Sequence, residues 1–111
     1  MKLATFEDDG YELDDAEERQ REAPETFAIP APDLRAGLTV GQIVKLIFRM
    51  YHDPDDKGNE VSVERMWVSV TGKAGGYFLG GLDNDPYCDG PLKSGDPIVF
   101  LPKHVIAIYD S

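Results

Sequence analysis

The chain has 111 residues, 41% of them hydrophobic and 10% aromatic, which is enough for one globular domain and too little for two. It carries 21 acidic against 11 basic residues, a formal net charge of −10, so direct binding to nucleic-acid phosphate or anionic lipid is disfavoured. No apolar run reaches the length of a bilayer crossing, and "MKLATFEDDGYELDD" turns acidic before a signal-like apolar region can form. A cytoplasmic protein is expected.

The charge is concentrated at the start. Residues 1–25 hold ten acids and three bases, a net of −7 that leaves −3 for the remainder. Such a segment suits a basic protein partner through long-range attraction, and otherwise keeps the protein soluble. Within it, "LDDAEERQREA" consists mostly of helix formers. Asp14 and Asp15 favour the helix dipole at its start, Arg19 and Arg21 sit nearer its end, and Pro24 stops it. Apolar residues are sparse here, so 1–25 reads as a short helix or a partly disordered tail, ahead of a single β-rich domain over 26–111.

"PETFAIPAPDLRAGL", with Pro24, Pro30 and Pro32, predicts an extended connector anchored by Phe27 and Ile29. From residue 40 the pattern is that of a sheet. In "QIVKLIFRMY", Val44, Leu46, Phe48 and Met50 point one way, while Ile43, Lys45, Ile47, Arg49 and Tyr51 point the other. "ERMWVSVTG" alternates likewise, with Met66, Val68 and Val70 on the apolar face and Arg65, Trp67, Ser69 and Thr71 opposite. "KAGG" is a glycine turn leading into "YFLGGLDN" as a hairpin, and "PIVFLP" and "HVIAIYD" are the last strands.

A faint repeat is also present: Leu38, Gly41 and Val44 share the spacing of Leu92, Gly95 and Ile98. In each copy the glycine permits a sharp turn before a strand. Together these signals predict an α+β, mainly β protein. Its centre is a strongly bent antiparallel sheet or small incomplete β-barrel of about five strands, with a short N-terminal helix.

Chemistry is harder to find. "DPDDKGNEVSVE" places Asp53, Asp55, Gly58 and Glu64 in step with a calcium-binding EF-hand loop. Lys57 occupies a ligand position, however, and both flanks read as strands where an EF-hand needs helices. The stretch is an acidic hairpin loop. His52 and His104 lack metal-ligand spacing, and His104, between Lys103 and Val105, is expected at a surface or edge. Cys88 cannot form an internal disulfide, and the neighbouring Asp85 and Asp89 oppose its activation as a nucleophile. No catalytic residue, metal ligand or cofactor is assigned.

Trp67 is the residue to single out, because alternation puts the only tryptophan on the polar face of its strand. Either the N-terminal helix and the Phe27/Ile29 connector cover that face as a second core layer, or it is an open aromatic patch.

"ERMWVSVTGKAGGYFLGGLDNDPYCDGPLKSGDPIVFLPKHVIAIYD" resembles the small bacterial proteins grouped as domain of unknown function 2314. The resemblance is carried by Glu64, Trp67 and Val68, then Gly80, Leu82, Asn84 and Pro86, then Leu92, Lys93, Gly95 and Asp96. It implies a small α+β domain and no particular activity. Pro97 interrupts the usual Gly-Asp-x-Val run.

Two functions are expected to compete. One is a non-catalytic protein-binding module, of the kind that sequesters a basic partner in the manner of an immunity protein, with Glu64, Arg65, Trp67, Asn84 and Asp85 as binding residues. The other is a small-ligand or enzymatic pocket at the barrel mouth, built from Glu64, Trp67, Asn84 and Asp85.

Overall fold

The computed structural model describes residues 1–87 and 90–109. The reading of Cys88 falls outside them. The described elements, in chain order, are helix α1 (Phe6–Asp9), strand β1 (Tyr11–Leu13), helix α2 (Ala16–Glu22), helix α3 (Pro32–Ala36), and strands β2 (Ile43–Tyr51), β3 (Val61–Ala74), β4 (Tyr77–Leu82), β5 (Pro97–Phe100) and β6 (Val105–Ile108). A single 3-10 turn at Pro102–His104 links the last two strands.

All the pairings are antiparallel, in the order β1-β2-β3-β4-β5. β6 returns to β2, pairing with Val44–Leu46 beside the stretch that β1 holds from Phe48 to Met50. In a flat sheet β5 and β6 would stand about 19 Å apart, four strand spacings. A four-residue link containing a 3-10 turn spans only ~12 Å. The sheet must therefore curl, and it forms the expected incomplete barrel.

The alternation read from sequence decides which face is inside. Val44, Leu46, Phe48 and Met50 of β2 are fully buried, as are Met66 and Val68 of β3, and they join Phe78, Ile98 and Phe100 in one core. The Gly75–Gly76 turn has φ of 57° and 87°, the two left-handed residues that a tight two-residue hairpin between β3 and β4 requires.

The repeat proves to be structural. The main-chain N–H of Gln42 donates to Thr39 O and that of Asp96 to Lys93 O. Each side chain, Gln42 and Asp96, accepts in return from the N–H of Thr39 or Lys93. Leu38 and Leu92 enter the same core.

The N-terminal segment is part of the sheet, beyond the helix or tail that its composition suggests. Tyr11 packs on Phe48 at 5.9 Å between ring centroids, and Asp15 caps α2 by accepting from Glu18 N–H. A second small core of Ala16, Ile47 and Ile106 forms on the outer face, covered by Phe27 and Ile29 as their anchoring role requires.

His104 corrects its expected surface placement. It is 4% exposed, and its Nδ1 accepts the Leu101 N–H at 3.0 Å. The 3-10 turn swings it inward as β5 hands over to β6, a geometry that a lone histidine between lysine and valine does not signal.

Candidate functional site

β3 is much longer than β4, and the excess defines the site. β4 pairs with β3 only as far as Val68↔Leu82. Below that point, the outer end of β3 keeps β2 on one side, through Tyr51↔Val61. On its other side runs the 83–87 loop.

That loop is pinned by the residues singled out in the sequence. Asp83 N–H donates to Trp67 O at 2.9 Å, and the Asn84 carboxamide oxygen accepts the Trp67 N–H at 3.2 Å, which ends the ladder. Glu64 Oε1 accepts the Tyr87 N–H at 2.7 Å. Asp83 also takes the Ser69 hydroxyl at 3.2 Å. Glu64 and Asn84 are thus struts of a corner. Asp85 is exposed on the loop, and Arg65 is exposed with its guanidinium 5.7 Å from the Phe27 ring centroid.

Trp67 divides the two readings of its face. The Ile47 part is the covered second layer, whereas Trp67 itself is half-buried under Lys45 Nζ, 4.5 Å from its ring centroid, and meets Tyr109 edge-on at 5.8 Å.

The other end of the site is the 52–60 loop. Asp55 Oδ1 accepts from the N–H groups of Lys57 and Asn59, both at 2.9 Å. The bonds from Asn59 and Lys57 amides hold the Asp55 carboxyl below its usual pKa. The loop is a hairpin turn folded around its own aspartate, with Gly58 at φ 79°. Asp53, Asp56 and Glu60 face solvent.

Between these loops lies an apolar strip. Val61 is 37% and Val63 48% exposed, Tyr51 is exposed beside them, and Tyr87 is 98% exposed on the pinned loop. Sequence reasoning missed this strip because β3 was read from Glu64 onward. The alternating "VSV" of residues 61–63 was its available signal.

No family model, curated protein or solved structure matches the chain. Two open clefts of about 430 and 450 Å³ lie elsewhere, one beside Gly75–Gly76 and one beside Leu34 and Tyr109, and none of the five named binding residues lines either. Among the described residues, no three or more His, Cys, Asp or Glu side chains are grouped to hold a metal ion, and no helix is long and apolar enough to cross a membrane. Burial pushes Tyr11 up to about 12 and His104 down to about 4; Tyr11 belongs to the main core, and His104 borders a smaller cleft of about 90 Å³ with Glu12 and Leu13.

Proposed function

We propose that this chain is a non-catalytic protein-binding module that takes a basic partner at the end of the barrel bounded by the 52–60 loop, the outer end of β3 and the 83–87 loop. The observation that carries this is the apolar strip of Tyr51, Val61 and Val63, set between the 52–60 loop with its exposed Asp53, Asp56 and Glu60 and the 83–87 loop with its exposed Asp83, Asp85 and Tyr87. Apolar surface supplies affinity once water is excluded, and the surrounding charge selects and steers a cation.

The acidic N-terminal segment contributes less than its net charge suggests. Asp14 pairs with Arg19 at 2.9 Å and Arg49 at 3.7 Å, Glu17 with Arg35 at 2.6 Å, Asp15 with Lys103 at 3.8 Å, and Asp8 with Lys2. Asp14, Asp15 and Glu17 thereby dock the segment on its own domain. Sequestering a basic toxin, as an immunity protein does, is one use such a module would have. Kinship with the domain of unknown function 2314 group and a cytoplasmic setting belong to the same proposal.

A small-ligand pocket at the barrel mouth is the weaker reading, because Glu64 and Asn84 already accept main-chain N–H groups. The test is capture from the cells that make the protein, using wild type beside a variant carrying Asp53→Asn, Asp56→Asn and Glu60→Gln. A basic protein should be retained by wild type, released as salt rises from about 50 to about 300 mM, and lost in the variant. Equal capture by both would refute the assignment.

A further inference from the structure

Resting on that reading, we infer that the partner enters as an extended basic segment that adds a strand to the open edge of β3 at residues 61–65. Main-chain direction along β3 leaves that edge unpaired among the described residues. In an antiparallel strand, successive residues aim their N–H and C=O groups to opposite sides. Val70 donates to Gln42 O and Glu60 O accepts from His52 N–H, so even-numbered residues of β3 face β2. Trp67 accepts from Asp83 N–H and Ser69 lies opposite Gly81, so odd-numbered residues face away.

Val61, Val63 and Arg65 therefore present their main-chain groups outward, and no described residue hydrogen-bonds them there. The Asn84 side chain closes the ladder at Trp67, so the open run begins at Arg65. Five residues at about 3.3 Å each offer ~17 Å, the length of an ordinary short strand.

The side chains on this edge are unusual. Exposed edges are commonly blunted by lysine, proline or bulges, to prevent pairing with another chain. Here the edge carries Val61 and Val63, both exposed. The protection is placed in the flanks instead. A second copy pairing antiparallel about Val63 would bring the acidic 52–60 loop of one chain toward Asp83 and Asp85 of the other, a like-charge approach. A basic strand meets attraction at both ends, so the occupant is a cationic segment of another protein and not a second copy. Main-chain bonds would supply affinity, and every second residue of the incoming strand would lie beside Val63 on the outer face.

The probe is a synthetic eight-residue peptide alternating lysine and valine, added to the full-length 15N-labelled chain. The amides of Val61, Val63 and Arg65 should shift, and their hydrogen exchange should slow at least ~tenfold. Val63→Pro removes one outward N–H while leaving the β2 ladder intact, which unchanged amide shifts across β2 verify. It should weaken binding at least ~tenfold, whereas Val63→Thr, which keeps the N–H, should bind within about threefold. A peptide of the same charge, N-methylated at alternate residues, should fail to protect these amides.

If the N-methylated peptide binds as well, or Val63→Pro binds as wild type does, charge alone is at work. Strand addition is then overturned, while the binding-module reading stands. If no lysine peptide binds even at low salt, that reading falls and takes the inference with it.

Discussion

Asn84 and Glu64 show how a polar residue can look like a ligand-binding group and serve as a clip. Each accepts a main-chain N–H, and at Trp67, where the β3–β4 ladder stops, an orphaned part-buried donor would cost about 1–3 kcal/mol. Asn84→Ala should lower stability by about 1–2 kcal/mol and release the 83–87 loop, read as faster exchange of the Trp67 amide. Retained protection at Trp67 would contradict its role as a clip. His104 makes a prediction in pH. Burial, then Lys103, depresses its pKa, with Asp15 and Asp14 opposing, and Glu12 borders the same small cleft. Between pH 6.5 and about 4 the unfolded chain binds a proton that the folded chain refuses, so stability falls as pH drops through that window. The loss is on the order of 3 kcal/mol and is complete below the folded pKa. His104→Asn keeps a hydrogen-bond acceptor and should flatten this part of the pH–stability curve in denaturant titrations. At this scale little was legible: Trp67 on the polar face was, but the inward turn of His104 depends on where the 3-10 turn falls, which no local pattern encodes.

The elements were legible wherever alternation was long. The nine residues of β2 and the core-facing half of β3 have the faces their sequences imply, because a one-residue slip would put Phe48 and Met66 in water. β1 was missed because three residues inside an acidic, helix-forming segment carry no period, and only pairing with Phe48–Met50 makes them a strand. Arg35 was missed too, although it is the bolt between elements. It is 3% exposed and donates to Glu17, to Pro30 O at 2.8 Å and to Pro102 O at 3.2 Å, joining α2, the connector and the 3-10 turn. Arg35→Met should cost about 1–3 kcal/mol, because two part-buried carbonyls and a half-exposed carboxylate lose their donor. A smaller loss in chemical denaturation, with α2 still docked, would show that apolar packing alone holds these elements. The sheet offers a matched pair of glycines. A Cβ on Gly80 would stand 2.5 Å from Val68 Cγ1 and 2.6 Å from Ser69 O, whereas one on Gly81 meets nothing within 4 Å. Gly80→Ala should therefore destabilise by about 1–3 kcal/mol and Gly81→Ala by well under 1 kcal/mol, compared by thermal melting. Equal melting temperatures would mean that β3 and β4 part easily at this point.

For the whole molecule, net charge was the clearest signal in the sequence and the easiest to misplace. The densest run of acids lies in residues 1–25, yet among the described residues five ion pairs involve its carboxylates, and three of those pairs reach Arg35, Arg49 and Lys103 on the body of the domain. The charge left facing solvent around an uncovered apolar edge lies at the opposite end of β3 from its hairpin, in two loops that read from sequence only as turns. Charge placement of this kind follows from tertiary structure, because partners for Asp14, Asp15 and Glu17 come from far along the chain. The most direct measurement is hydrogen–deuterium exchange on the full chain in complex with the basic protein it captures. The expected footprint is protection of residues 51–65 and 83–87, with the Leu34–Tyr109 cleft unchanged. Protection confined to that cleft or to residues 1–25, with the β3 edge still exchanging as in the unbound protein, would contradict the assignment.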